Sequence, residues 1–332
     1  MVTIYDIAKK TGYAPATVSK ALNDKPDISA KTKEKIHAVA KEMGYSPNSQ
    51  AIALSTNKTW NIGVLFEDGR HNGFTHYLFS KILESLKKEA ELSGYDITFI
   101  SQSIAGRDTT YLEHARYRRC EGIIIACVDF TIKGIRELVD SEIPVVVIDH
   151  LFDSASTVKS DNIDGMRKIV YYLKAQGHKN ITYIHGEPSY VTEQRIESFI
   201  KANEDFQDQG KYNLIEGVYS SKTDAYNKTN LLFQKTDEIP SAIVYPDDYS
   251  ALGGIDCILE YGYNIPDDIA VVGFDGVELG EIIKPSLTTI KQDTNKMGRL
   301  AVKQLLKQIE NPDEENVVIQ VPVKLVERDS SK

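Results

Sequence analysis

Residues 3–23 read TIYDIAKKTGYAPATVSKALN, two short helices joined by a tight turn. Ile4, Ile7 and Ala8 fall at i, i+3 and i+4, one apolar stripe on a first helix. Gly12 follows where a left-handed residue lets the chain turn sharply. Pro15 suits the first turn of a second helix, where a missing N–H costs little. Val18 and Leu22 repeat at i and i+4 and dock that helix on the first. Pro15, Ala16, Thr17, Ser19, Lys20 and Asn23 are left pointing outward. A second helix of this size, braced by its neighbour, fits a DNA major groove and presents side chains to base edges. On hydrophobic pattern alone an ordinary helical hairpin fits as well.

The residues that follow favour the DNA reading. Ser29 is placed to cap a third helix whose Ile36, Val39, Ala40 and Met43 complete a three-helix core, with Gly44 as a stop signal. Lys31, Lys33, Lys35 and Lys41 stud its exposed side. Residues 1–60 carry nine Lys against five Asp/Glu, a charge of +4, while the whole chain carries −9, which leaves −13 on residues 61–332. A small basic head on a large acidic body is the asymmetry of a chain that meets phosphates at one end only.

Between head and body, SPNSQAIALSTN (46–57) holds no charge. Ser46-Pro47 opens a short helical stretch through Gln50–Leu54, too short to stand alone in water. It folds only if a twin segment and a DNA groove hold it, with Leu54 as a wedge between minor-groove base steps. A flexible polar linker is the alternative.

These motifs, with YSPN and the later phrases GHKNI, VVGFDG and SLTTIKQD in the same order, resemble the LacI (lactose repressor)/galactose repressor family over essentially the whole length. The resemblance implies DNA contacts at Thr3, Tyr5, Pro15, Ala16, Thr17, Ser19, Lys20, Asn23, Asn48, Ala51 and Leu54. Lys20 is expected to read a base edge, and Thr3 and Asn23 to hold phosphates. Three departures stand out. Ala14 replaces a usual capping Ser, Lys20 replaces a common Arg and so trades a bidentate fork for a point charge, and Ile52 sits where many members carry Arg.

Past Trp60 the chain alternates apolar runs with helical patterns. NIGVLF (61–66), YDITFI (95–100), GIIIAC (122–127) and VVVID (145–149) are β-branched runs of the kind found in parallel strands buried on both faces. NITYIH (180–185), LIEGVY (214–219), SAIVYP (241–246) and IAVVGF (269–274) repeat the beat. Two sets of βα units give two doubly wound lobes, an α/β body behind a small all-α head. The resemblance makes these lobes periplasmic-binding-protein-like, with crossings near 158–163, 288–293 and 316–322. The expected division is a head over 1–45, a hinge over 46–58 and a core over 59–332. Within the core, the first lobe takes about 59–160 and 293–320, and the second about 161–290 and 321–332.

Lobes of this type hold a small molecule where strand ends face each other. Asp149, Asp247, Asp248, Asp275 and Tyr219 all stand at such ends, and Arg195 lies in the helix YVTEQRIESF. Any single Asp there reads equally as a helix cap. Together the carboxylates and guanidinium suit sugar hydroxyls, and the aromatic ring suits the apolar face of a pyranose. The family correspondence places Asp149, Arg195, Tyr219, Asp247 and Asp275 in an effector site, with His71, Phe74, Asp161 and Gln292 nearby. Asp247 replaces a usual Asn and adds an acidic group, which favours a polyhydroxylated or cationic ligand over a nucleobase or phosphate.

Cys120, Cys127 and Cys257 lack metal or redox spacing and read as core thiols in a reducing cytosol. No cofactor or metal motif, nucleophile elbow, signal peptide, leucine heptad or membrane-length apolar run is visible. The expectation is a cytoplasmic, non-enzymatic homodimer binding double-stranded operator DNA, with a small-molecule effector, a sugar, between its lobes. An exported sugar receptor would not need residues 1–56. A hydrolase using Asp247 and Asp149 would need a raised pKa or a metal.

Overall fold

The computed structural model describes residues 2–46, 58–67, 76–206, 210–235 and 238–332. The expected sites Asn48, Ala51, Leu54, His71 and Phe74 lie outside these residues. The chain forms two compact units, Met1–Thr59 and Trp60–Lys332.

The first unit is three helices, α1 (Ile4–Thr11), α2 (Pro15–Leu22) and α3 (Ala30–Glu42). Thr3 and Asp6 close a capping box on α1, and Gly12 ends it at φ 79°. Ser29 caps α3, whereas Ala14 leaves α2 without a side-chain cap. Ile7, Ala8, Val18, Ala21, Ile36 and Ala40 form the buried core, with Leu22, Val39 and Met43 packed around it. Ala21, at i+3 from Val18, is fully buried beside it, and Leu22 packs at the edge of the same core.

The second unit begins with β1 (Asn61–Phe66), α4 (Tyr77–Leu92), β2 (Asp96–Phe99) and a small hairpin of β3 (Ser103–Ile104) and β4 (Arg107–Asp108). Next come α5 (Tyr111–Tyr117), β5 (Gly122–Ala126), α6 (Lys133–Val139), β6 (Val145–Ile148) and β7 (Ser156–Ser160). A second run follows: α7 (Asn162–Ala175), β8 (Asn180–His185), α8 (Tyr190–Glu204), β9 (Lys211–Glu216), α9 (Lys222–Lys235) and β10 (Ala242–Val244). It continues through α10 (Asp248–Glu260), β11 (Ala270–Asp275), α11 (Leu279–Ile282) and β12 (Thr288–Lys291). The end of the chain supplies α12 (Thr294–Glu310), β13 (Val318–Val321) and β14 (Lys324–Val326).

The strands make two six-stranded sheets, β13-β7-β6-β5-β1-β2 and β14-β12-β11-β10-β8-β9. All pairs are parallel except β12 with β14. Each sheet is covered on both faces. Ile62, Ile124, Val146 and Ile148 meet α4 and α12 on one side of the first, while Leu65, Ile123, Ile125 and Val147 lie in the core on its other side. Each such side chain, fully buried, contributes about 1.5–3 kcal/mol. The chain passes between lobes after β7, after β12 and after β13, so three short segments join the sheets. One expected strand is displaced: the 214–219 run is β9, starting at Lys211. As an edge strand paired only to β8, it tolerates the polar Lys211, Tyr212 and Asn213.

Candidate functional site

In the head, Thr3, Tyr5, Pro15, Ala16, Lys20 and Asn23 are exposed, and Thr17 and Ser19 half-buried. Tyr5 is 74% exposed, a large ring with no core to fill. Lys20 Nζ lies 2.5 Å from Asp27, and Asn23 Nδ2 donates to the Ser19 carbonyl at 2.9 Å. The Lys20 ammonium and the Asn23 amide therefore both have local partners. Thr3 already serves as the α1 cap, a role that T-x-x-D announces and that the sequence reading passed over.

Between the lobes of the body lies a cavity of about 700 Å³, where the carboxyl ends of β5, β6 and β11 face α8. Asp149, Arg195, Tyr219, Asp275 and Gln292 line it together. Arg195 is 3% exposed. Its Nε donates to Asn162 Oδ1 and its Nη1 to the Pro246 carbonyl, both at 2.9 Å, while the guanidinium lies 3.5 Å from the Phe274 ring centre. Fixed on three sides, it has its remaining N–H groups for a ligand.

Asp149 ends the β6 run in a left-handed conformation (φ 57°), accepting from Ser160 N at 3.1 Å. Burial pushes its carboxyl up to about 6, against the pull of the Ser160 N–H and Arg195. Asp275 accepts from Gln292 Nε2 at 2.7 Å, and burial holds its carboxyl well above the usual range. Gln292 in turn accepts from Ser160 Oγ, tying the cleft floor to two of the crossings. Tyr219 is held by Thr192 (2.8 Å) and by its own N–H on Glu187 (2.8 Å). A Cβ on Gly186 would stand 2.0 Å from the Tyr219 ring, so glycine is required there.

Two expected residues lie elsewhere. Asp247 does not line the cavity: one oxygen accepts from Ser250 N (2.8 Å), the other from Ser220 N (2.7 Å) and Ser250 Oγ (2.8 Å). It caps α10 and anchors the residue after Tyr219, so it offers no extra acid to a ligand. Asp161 is likewise spent as the cap of α7, accepting from Asp164 N at 2.9 Å. Asp248, beside it in the sequence argument, is buried against Thr289 and Val277 N, with its carboxyl pushed to about 7 by burial.

Cys127 is corrected too. It is the first residue beyond β5, half-buried at φ 53°, and turns into the cleft, whereas Cys120 and Cys257 are core thiols. The sequence reading also missed Phe130, His150, Tyr190 and Glu187, all on the cavity wall. Their signal was position: Phe130, His150 and Glu187 lie in the loops that follow β5, β6 and β8, and Tyr190 opens the helix that carries Arg195. Among the described lining residues Arg195 is the one permanent cation, with Asp149 and Asp275 acting on it and Asp129 and Glu187 also on the wall. Such a wall suits hydroxyl donors and disfavours anions.

A three-helix reading head in the same chain as a two-lobed clamp around a small cavity defines a ligand-responsive, DNA-binding regulator of transcription. Residues 3–48 match the family described as bacterial regulatory proteins, lacI family, and residues 170–331 a periplasmic binding protein-like domain. The HTH-type transcriptional repressor PurR of Pasteurella multocida (strain Pm70) is 30% identical, covering 100% of this chain and 99% of its own. The Lac repressor dimer bound to operator and the anti-inducer ONPF superposes with TM-score 0.84 at 27% identity, over 99% of both chains. A LacI family regulator from Enterococcus faecium with bound ribose matches with TM-score 0.69 at 27% identity, over 82% of this chain and 98% of its own. The chain belongs to the LacI family of bacterial regulatory proteins. Among the described residues no helix is long and apolar enough to cross a membrane.

Proposed function

We propose that this chain is a cytoplasmic, homodimeric, non-enzymatic repressor of carbohydrate-utilisation genes whose operator affinity is changed by a sugar held between the lobes. The carrying observation is the cleft wall: one fixed guanidinium, several carboxyls and a buried aromatic ring, with no second cation among the described lining residues. That set pairs with neighbouring hydroxyls and packs on an apolar ring face. The effector contacts are assigned to Asp149, Arg195, Tyr219, Asp275 and Gln292. The DNA contacts are assigned to Thr3, Tyr5, Pro15, Ala16, Thr17, Ser19, Lys20 and Asn23, with hinge contacts from Asn48, Ala51 and Leu54. The division into head (1–45), hinge (46–58) and core (59–332) goes with this reading.

A second copy is assigned to the side where Tyr77 of the first lobe lies 6.2 Å from Tyr249 of the second, with Ile282 74% exposed. Paired carboxylate catalysis is not favoured, because Asp247 is committed to its helix. The test is a melting-temperature screen of the full-length protein against sugars and nucleobases. Anisotropy on a selected operator with each hit then follows. A sugar at 100 times its Kd adds about 2.7 kcal/mol. Stabilisation by nucleobases alone, or sugar binding with no change in operator affinity, would refute the reading.

A further inference from the structure

The cavity has two chemically different ends. Arg195, Asp275, Gln292 and Tyr219 make one, already assigned to a sugar ring. The other is aromatic. Phe130 stacks flat on His150, with ring centres 4.1 Å apart and planes 4° apart, and His150 meets the Tyr190 ring edge-on at 6.0 Å. All three line the cavity, and all are half-buried. No ligand contact proposed above uses them. Burial holds His150 below its ordinary pKa, so the stack is uncharged at neutral pH.

This end is built across both lobes. Tyr190 belongs to α8 of the second lobe, and its hydroxyl accepts from Lys159 Nζ of the first lobe and from Gln194 Nε2, each at 2.9 Å. The Lys159 ammonium also lies 5.1 Å from the Tyr190 ring centre. Lys159 is 7% exposed and does not line the cavity, so its charge orients the ring and is not offered to a ligand. Asp129 and Glu187 also line the cavity and are acceptors of hydroxyl protons, Glu187 while it holds Tyr219 N. A cavity of about 700 Å³ falls well inside the range of about 300–1,000 Å³ that holds drug-sized ligands, more than one sugar ring fills.

We propose that Phe130, His150 and Tyr190 form a second subsite, and that the effector is an uncharged disaccharide whose outer ring packs on them while its inner ring is held by Arg195 and Asp275. This rests on the sugar reading above. An occupant spanning both ends touches Tyr190 and, through it, Lys159 of the other lobe, so the outer ring biases closure as well as affinity.

The test is calorimetric titration of the full-length protein with glucose, galactose and ribose against maltose, cellobiose, lactose and sucrose. The expected result is one disaccharide binding at least about tenfold more tightly than any monosaccharide, the size of an added aromatic contact. Phe130→Ala then loses about tenfold for that disaccharide and stays within twofold for the monosaccharides. Phe130→Leu, which keeps apolar bulk but not a ring face, loses part of it. Unfolding of each variant by circular dichroism checks that the fold is kept. A monosaccharide binding as tightly as every disaccharide, or a Phe130→Ala protein with undiminished disaccharide affinity, overturns the second subsite and leaves the sugar reading intact. Binding by no sugar of either length overturns both.

Discussion

Asp149→Asn separates the cost of the cleft from its use. In the folded chain burial holds this carboxyl near 6, against an ordinary value of 3.8. The native state therefore keeps a proton that the unfolded chain has released, and stability falls as pH rises from about 4 to about 6. Above about pH 7 the loss is complete. A rise of about two pH units, at about 1.4 kcal/mol each, makes it about 3 kcal/mol. Asparagine removes that term and little else. It still accepts from Ser160 N, and it tolerates the left-handed backbone at φ 57° as readily as aspartate. The single Trp60, packed edge-on against Tyr95 at 5.3 Å in the same lobe, reports unfolding by fluorescence in urea. The variant should match the parent near pH 4 and exceed its stability by about 3 kcal/mol at pH 8, while binding sugar more weakly for want of a carboxylate acceptor. A stability difference that does not change between pH 4 and 8 would refute the claim that this carboxyl is desolvated in the native cleft.

Three further outcomes are expected. Lys20→Ala should cost about 1–3 kcal/mol on the operator and relax sequence preference, and equal loss on random DNA in a competition assay would move Lys20 to the backbone. Thr3→Ala removes the side-chain half of the α1 capping box, leaving the residue 3 N–H on Asp6, and should cost the head about 1 kcal/mol without DNA, read by amide exchange of α1–α3; unchanged protection would contradict the cap. Gly186→Ala drives a methyl into the Tyr219 ring and should destabilise the body by about 1–3 kcal/mol and weaken sugar binding at least tenfold, as calorimetry would show. A wild-type sugar affinity in that variant would mean that Tyr219 does not contact the ligand.

What the sequence disclosed follows the forces that act locally. Apolar spacing alone brings Ile7, Val18 and Ile36 together, and unbroken β-branched runs mark β1, β5 and β6. The strand β7 was hidden, because Ser156, Thr157, Lys159 and Ser160 are polar yet buried. Their partners come from far along the chain: Ser156 accepts from Val317 N, Lys159 donates to Tyr190, and Ser160 donates to Gln292. No local pattern carries that information. The cleft acids divide by the helix-cap alternative, which the sequence raises for every one of them without telling them apart. Asp161 and Asp247 are each followed at once by a helix, and their carboxyls turn to its free N–H groups. Asp149 and Asp275 are followed by loops, have no helix to cap and face the cavity.

That same division bears on how the ligand acts. The two cleft acids are joined through the crossings: Asp275 accepts from Gln292, Gln292 from Ser160 Oγ, and Ser160 N donates to Asp149. Ser160 closes β7 of the first lobe, and Gln292 follows β12 of the second. A ligand that engages both acids therefore works on the segments about which the lobes turn. Its effect on operator affinity is limited by how differently it meets this chain in the two lobe arrangements. Because the coupling is a free energy shared by both sites, the operator must change ligand affinity by the same factor. A desolvated carboxyl that ionises in the empty cleft is costly, and an occupant that supplies hydroxyl donors to Asp149 and Asp275 offsets that cost only when both lobes contribute their acid.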